Sequence, residues 1–229
     1  MDEKDTLKYL IHEIKNAAQP IIFNLQFLKK AYDKSPEKNE IEKRLLSKLL
    51  VQADKLYEMA RNVNLFQKTE NDVKRFDLHL MIKEIVDDLQ GYINEKGARV
   101  KLAFDLQIGA VNQDGFKVQT VIMNLVKNAI EACNEGSEIL ISTVKTGESI
   151  MFSVENAGPK IEEGLRDRVF EPMFTTKEQG SGMGLAISKR FAEHLKGNID
   201  FISNDMKTVF KFDFPEDLEV YEKTSDRRG

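Results

Sequence analysis

The chain has 229 residues, 41% hydrophobic and 31% charged, enough for one large globular domain or two small ones. A formal net charge of −4 gives no global basic field for nucleic acid, and the single cysteine, Cys133, excludes an internal disulfide framework and suits a reducing compartment. No apolar run approaches membrane-spanning length and no signal peptide opens the chain, so a soluble, cytoplasmic molecule is expected, free-standing or as the cytoplasmic part of a longer protein.

Leu7, Ile11, Ile14, Ala18, Ile21, Leu25 and Leu28 recur at steps of three and four, which predicts an a/d seam on one long helix. His12 lies beside Glu13 just off that seam, and Asn16 is one turn further on the same face. An exposed imidazole can act as a nucleophile when a neighbouring carboxylate keeps one ring nitrogen protonated and leaves the other lone pair free. A solvent-facing histidine on a surface helix has the same local pattern. Pro20 falls inside the helical pattern and should bend or weaken it. A polar break, Asp33 to Lys38, offers Ser35 as a cap and Pro36 at a first helical position. Ile41, Leu45, Leu49, Ala53, Leu56, Ala60 and Val63 then repeat the seam. Residues 1–70 are thus expected as an antiparallel helical hairpin. Two copies related by a two-fold axis would bury the seams as a four-helix bundle, so a homodimer is expected.

The polar run Thr69 to Arg75 reads as a linker. Helices are predicted at Leu78 to Ile93, Val118 to Cys133 and Leu185 to Leu195. Strands are predicted at Val100 to Phe104, Ile139 to Val144, Ile150 to Val154, Ile199 to Ile202 and Val209 to Phe214. This mixture, without strict βαβ alternation, predicts an α+β fold. Residues 76–215 are expected to form a two-layer α/β sandwich with helices on one face, and residues 216–229 a frayed tail.

Chemistry gathers in that second region. Asn124 and Asn128 sit four apart on one helix face with Lys127 and Glu131 nearby. Asparagine is a poor mid-helix residue, and its amide oxygen can ligate Mg²⁺, which also takes phosphate oxygens and water. Exposed amides with no ligand fit the spacing too. Val154 to Pro159 ends a strand, where Asn156 can hydrogen-bond a base edge and Gly158 permits a close turn. Phe170 to Lys177, with Thr175, Thr176 and Lys177, leads to Gly180, Gly182, Gly184 and Leu185 at a helix start. Alternate glycines ahead of a helix N-terminus suit a polyphosphate, although alone they fit equally a tight loop before a core helix.

Taken in order, these segments resemble the catalytic core of a sensor histidine kinase of two-component signalling. His12-Glu13-Ile14-Lys15-Asn16 resembles the phosphoacceptor box and Asn124 to Ala132 the N box. Val154 to Ile161 resembles the first glycine box, Phe170 to Lys177 the F box, and Gly180 to Leu185 the second glycine box. Lys15-Asn16 and Glu131-Ala132 resemble the nitrogen-regulatory subtype. The resemblance implies a dimerisation and phosphotransfer hairpin followed by an ATP-binding domain. It implies transfer of the ATP γ-phosphoryl to His12, polarised by Glu13, and then to an aspartate on a response regulator receiver domain. Asn16 would position water for dephosphorylating the regulator. Asn128 would bind magnesium, with Asn124 and Lys127 near the phosphates, and Asn156 would meet adenine. Gly158 would shape the base-side loop. Thr175, Thr176 and Lys177 would belong to a lid, and Gly180, Gly182, Gly184 and Leu185 to the phosphate-side loop.

Two departures stand out: Asn156 replaces the family's usual Asp, and Lys160 its usual Gly. A neutral acceptor makes a weaker hydrogen bond than a charged one, so weaker but retained nucleotide binding is expected. Only eleven residues precede His12, so sensing is expected from a separate partner or from part of a longer protein. Two other readings remain open. One is a phosphotransfer relay whose nucleotide domain has lost ATP. The other is an ATPase of the same fold without a phosphohistidine.

Overall fold

A computed structural model describes residues 14, 16, 18–27, 48, 49, 52, 53, 56, 65, 70–177 and 181–225. They fall into two units, one taking residues from Thr69 to Glu171 and from Gly184 onward, the other those up to Lys68 together with Pro172–Met183.

The larger unit is built on a five-stranded sheet of order β2-β4-β5-β7-β6. Its strands are β2 (Arg99–Phe104), β4 (Glu138–Thr146), β5 (Ser149–Asn156), β6 (Asn198–Ser203) and β7 (Thr208–Pro215). β2 pairs parallel with β4, and the other pairs are antiparallel, so the sheet is mixed. The helices are α1 (Leu78–Asp88), α2 (Gln90–Glu95), α3 (Gly115–Ala132), α4 (Gly184–His194) and α5 (Leu218–Ser225).

Period-two alternation decides which face is covered. Ile139 and Ile141, then Ile150, Phe152 and Val154, then Phe210, Phe212 and Phe214, with Ile199 and Phe201, are all buried. Their neighbours Leu140, Met151, Ser153 and Lys211 are only half-buried. The helices supply the matching layer through Ile82 and Ile85 of α1, Val118, Val121, Ile122 and Leu125 of α3, and Ile187 and Phe191 of α4.

Three expectations change. The linker ends earlier than its polarity suggests: Val73–Asp77 is a strand, β1, paired antiparallel with β3 (Ala110–Asp114) in a separate two-stranded ribbon. The helix expected from Leu78 to Ile93 is interrupted at Leu89 (φ −91°, ψ 4°). Leu89 and Ile93 are nevertheless both buried, so the apolar pattern runs through the break. Within the expected frayed tail, Leu218–Ser225 instead folds as α5, with Leu218 buried.

A buried ion pair ties the chain entering this unit to its helices. Asp114 caps α3, accepting Lys117 N–H at Oδ1 (3.0 Å), and its Oδ2 accepts Asp72 N–H (3.0 Å). Lys117 is fully buried, its Nζ 3.8 Å from Asp114 Oδ2. That Nζ donates to the Glu70 carbonyl (2.7 Å) and to Asn71 Oδ1 (2.6 Å). Asn71 Nδ2 in turn donates to the His194 carbonyl at the end of α4 (3.0 Å).

In the smaller unit, residues 18–27 are helical, Pro20 included, as are 48, 49, 52, 53 and 56. Asn24 Nδ2 donates to Gln52 Oε1 at 3.1 Å. Ile22, Phe23, Leu25 and Phe27 are each more than half exposed. The rest of the expected hairpin, its Asp33 to Lys38 break included, lies outside the described residues.

Candidate nucleotide site

α3 carries the first half of the site. Its apolar stripe faces the sheet, and Asn124, Lys127, Asn128 and Glu131 lie half-buried on the flank. The local cost of an asparagine in mid-helix is offset at Asn124 by tertiary bonds. Its Nδ2 donates to the Gly184 carbonyl (3.1 Å) and to Ser188 Oγ (3.0 Å), while Ser188 Oγ donates to the same Gly184 carbonyl (2.8 Å). A carbonyl only accepts, so this triangle fixes which end of the amide points at α4. Asn124 thus pins the first turn of α4, where Gly184 and Leu185 begin a row of N–H groups without intrahelical acceptors. Asn128 follows one turn along α3. Lys127 Nζ stands 5.5 Å over the ring of Tyr92 on α2.

The second half is the end of β5. Asn156 closes the inward row Ile150, Phe152, Val154, and its register partners are Ile139 and Thr208. It is 2% exposed, yet its Nδ2 has no hydrogen-bond partner among the described residues. An orphaned buried donor is uncommon and needs an explanation. The chain then turns against the C-terminus of α3: Asn134 N–H donates to the Ala157 carbonyl at 2.9 Å. A Cβ on Gly158 would overlap the Ala132 carbonyl oxygen and stand 3.0 Å from Asn156 Nδ2. Gly158→Ala is therefore expected to cost about 2 kcal/mol through overpacking, about 5 °C in Tm. Thermal unfolding checks this, and an unchanged Tm would show that the loop yields freely.

The glycine-rich stretch belongs to the other unit up to Met183. Met173 (φ 69°) and Gly182 (φ 66°) both adopt left-handed backbone, and a Cβ on Gly182 would overlap the Met173 backbone. Only glycine meets both demands at 182. Thr175 Oγ1 accepts Lys177 N–H at 3.1 Å in a local turn, and Thr175, Thr176 and Lys177 are exposed. Asn16 is helical and exposed. His12, Glu13 and Gly180 lie outside the described residues.

The structure thus brings Asn124 to Gly184, and Asn156 to Gly158 at the C-terminus of α3. Sequence reasoning missed Ser188 and Tyr92. A serine four residues after a helix-starting glycine is the signal that points to Ser188, since Ser at i+4 can bond back to the helix. Among the described residues, no group of three His, Cys, Asp or Glu side chains converges to hold a metal. A single neutral amide is chemically sufficient as a protein ligand for Mg²⁺, which takes most of its ligands from phosphates and water.

A mixed sheet covered on one face by helices, with paired amides along the central helix and a glycine turn at its end, defines the class. Residues 113–218 match the family described as histidine kinase-, DNA gyrase B- and HSP90-like ATPase. The solved catalytic domain of histidine kinase ThkA is 32% identical, with a TM-score of 0.61 over 65% of this chain and 98% of that one. The chain belongs to the histidine kinase family and is the catalytic core of a sensor histidine kinase. Sporulation kinase A of Bacillus subtilis is 28% identical over 209 residues, 90% of this chain and 34% of that kinase. The chain thus spans about a third of that relative's length. Histidine kinase ThkA solved with the response regulator protein TrrA is 25% identical, with a TM-score of 0.70 over 93% of this chain and 61% of that one.

Proposed function

We propose that this core, as a homodimer, transfers the γ-phosphoryl of ATP to His12 and then to an aspartate on a response regulator receiver domain. Regulator phosphatase activity and the nitrogen-regulatory subtype belong to the same reading, as does division into a hairpin (1–70) and a catalytic domain (76–215). The orphaned amide of Asn156 carries it. A buried, unsatisfied hydrogen-bonding group at a rigid strand end suits a ligand with a polar edge, and the rest of the site suits a polyphosphate. Four exposed apolar side chains on residues 22–27 support a partner helix surface. The complex of ThkA with TrrA supports the regulator as partner.

The division of labour follows from the residue chemistry. Asn156 meets the purine edge, and Gly158 keeps the loop clear of it. Asn124 holds the start of α4, whose first N–H groups, from Gly184 onward, suit the phosphates. Gly182 keeps the phosphate-side loop role, and Thr175, Thr176 and Lys177 the lid role, that the resemblance implies. Asn128 would hold a magnesium ion, whose charge would offset that of the β- and γ-phosphate oxygens. Glu13 orients the His12 imidazole, which must come within ~3–3.5 Å of the phosphorus in line with the leaving oxygen. Asn16 orients water in the reverse, regulator-directed reaction.

Magnesium ATP at about tenfold over its Kd should stabilise the chain by ~1.4 kcal/mol, seen as a rise of about 4 °C in Tm. No shift at millimolar nucleotide would favour the relay reading, which Asn156 and Lys160 motivate.

A further inference from the structure

We propose that Asn156 makes the base position tolerant of a 6-oxo purine, so that inosine- or guanosine-type triphosphates bind beside adenosine ones. The proposal rests on the nucleotide-site reading above and names its substrate class. Three observations carry it. First, the backbone at Asn156 is fixed. It is ladder-paired to Ile139 on one side and Thr208 on the other, and the next two residues are pressed onto α3 through Asn134 and the Ala132 carbonyl. Second, the residue is 2% exposed, so bulk solvent barely reaches it. Third, its buried Nδ2 is bonded to nothing among the described residues. The polar groups nearest in its row are engaged with one another: Ser203 Oγ and Thr208 Oγ1 are 2.7 Å apart, and Ser203 Oγ also accepts Ile161 N–H at 2.9 Å.

The amide is therefore held in place but not in orientation. Half a turn about Cβ–Cγ exchanges its acceptor and donor ends, and no protein hydrogen bond at Nδ2 is lost. At Asn124, by contrast, the Gly184 carbonyl forbids that exchange. One end of the Asn156 amide accepts from a 6-amino group, and the other donates to a 6-oxo group. A carboxylate here would only accept, selecting the amine and repelling the carbonyl. A site that leaves a polar group unmatched rejects a ligand strongly, whereas a site that matches both by rotation discriminates little.

Calorimetric titration of the full chain with magnesium ATP and magnesium ITP tests this, since the two differ at the 6-position and its adjoining ring nitrogen. The expected Kd values lie within about tenfold of each other, and Asn156→Asp should widen the ratio to about 100-fold or more in favour of ATP. Native discrimination already exceeding about 100-fold, or a ratio unmoved by Asn156→Asp, would overturn the proposal. Should the variant not fold, the native ratio decides alone. Binding of neither nucleotide would instead remove the nucleotide-site reading and this inference with it.

Discussion

A His12→Gln chain incubated with γ-labelled ATP should acquire no acid-labile label above background, while the native chain acquires it. The phosphorus–nitrogen bond of a phosphohistidine is lost in acid, and ester phosphate on Ser, Thr or Tyr is not, so the acid test reads the acceptor's chemistry. The chain has three histidines, and the structure argues against the other two. The His79 ring stacks on Phe104 at 4.3 Å, and its Nε2 is 3.0 Å from Thr143 Oγ1. Burial there also lowers its pKa, although the nearby Asp77 pulls the other way. His194 ends α4 with its Nδ1 buried. Each thus has one ring nitrogen engaged or buried. His12, off the seam and beside Glu13, fits the role by sequence. The Tm rise with magnesium ATP should survive in His12→Gln, because His12 is not among the residues proposed to hold the nucleotide. Acid-labile label persisting in that variant would transfer the acceptor role to another histidine. Loss of both label and Tm rise would show that the substitution damaged the chain rather than the chemistry.

The sheet and its main helices were legible because burial on one face imposes a period. Ile150, Phe152 and Val154 alternate as a one-faced strand must, and Val118, Val121, Ile122 and Leu125 repeat as a one-faced helix must. The ribbon β1–β3 was not legible. Val73-Lys74-Arg75-Phe76-Asp77 and Ala110-Val111-Asn112-Gln113-Asp114 are too polar and too short to show a covered face. Asn124 and Asn128 stood out because their residue type is wrong for mid-helix. Ser188 did not, because a helical serine reads as surface until its Gly184 carbonyl and Asn124 partners are seen. The orphaned Nδ2 of Asn156 is a property of the surroundings, so no local pattern could announce it. Lys117 is the same lesson with a charge: a lysine in a helix's first turn reads as solvated, and only the fold shows it buried.

Lys117→Met should destabilise the larger unit by about 3–5 kcal/mol, a fall of roughly 10 °C in Tm, making it the costliest single change expected for stability. The shape is nearly kept, so the loss is electrostatic. Asp114 is 1% exposed and would retain its cap on α3 and its bond from Asp72 while losing the only cation within 4 Å among the described residues. The Glu70 carbonyl and Asn71 Oδ1 would each lose a short charged donor. Asp114→Asn should cost less. Its amide oxygen can still cap the helix, and the Lys117 ammonium keeps two oxygens at 2.7 and 2.6 Å and the Phe191 ring at 5.7 Å. Combining the two substitutions removes both charges together, so the double variant should be more stable than the sum of the single losses predicts. Urea unfolding midpoints of the four proteins measure that coupling. A Lys117→Met loss under about 1 kcal/mol would show that the ammonium is solvated in solution and the pair is not what holds residues 70–72. If the loss is as large as expected, those residues part from α3 and, through Asn71, from the end of α4. Under conditions where the variant remains folded, labelling from γ-labelled ATP should then fall more than nucleotide affinity does, because the residues proposed to hold the nucleotide, Asn124, Asn128 and Asn156, are unchanged while residues 70–72 have lost their tie to α3.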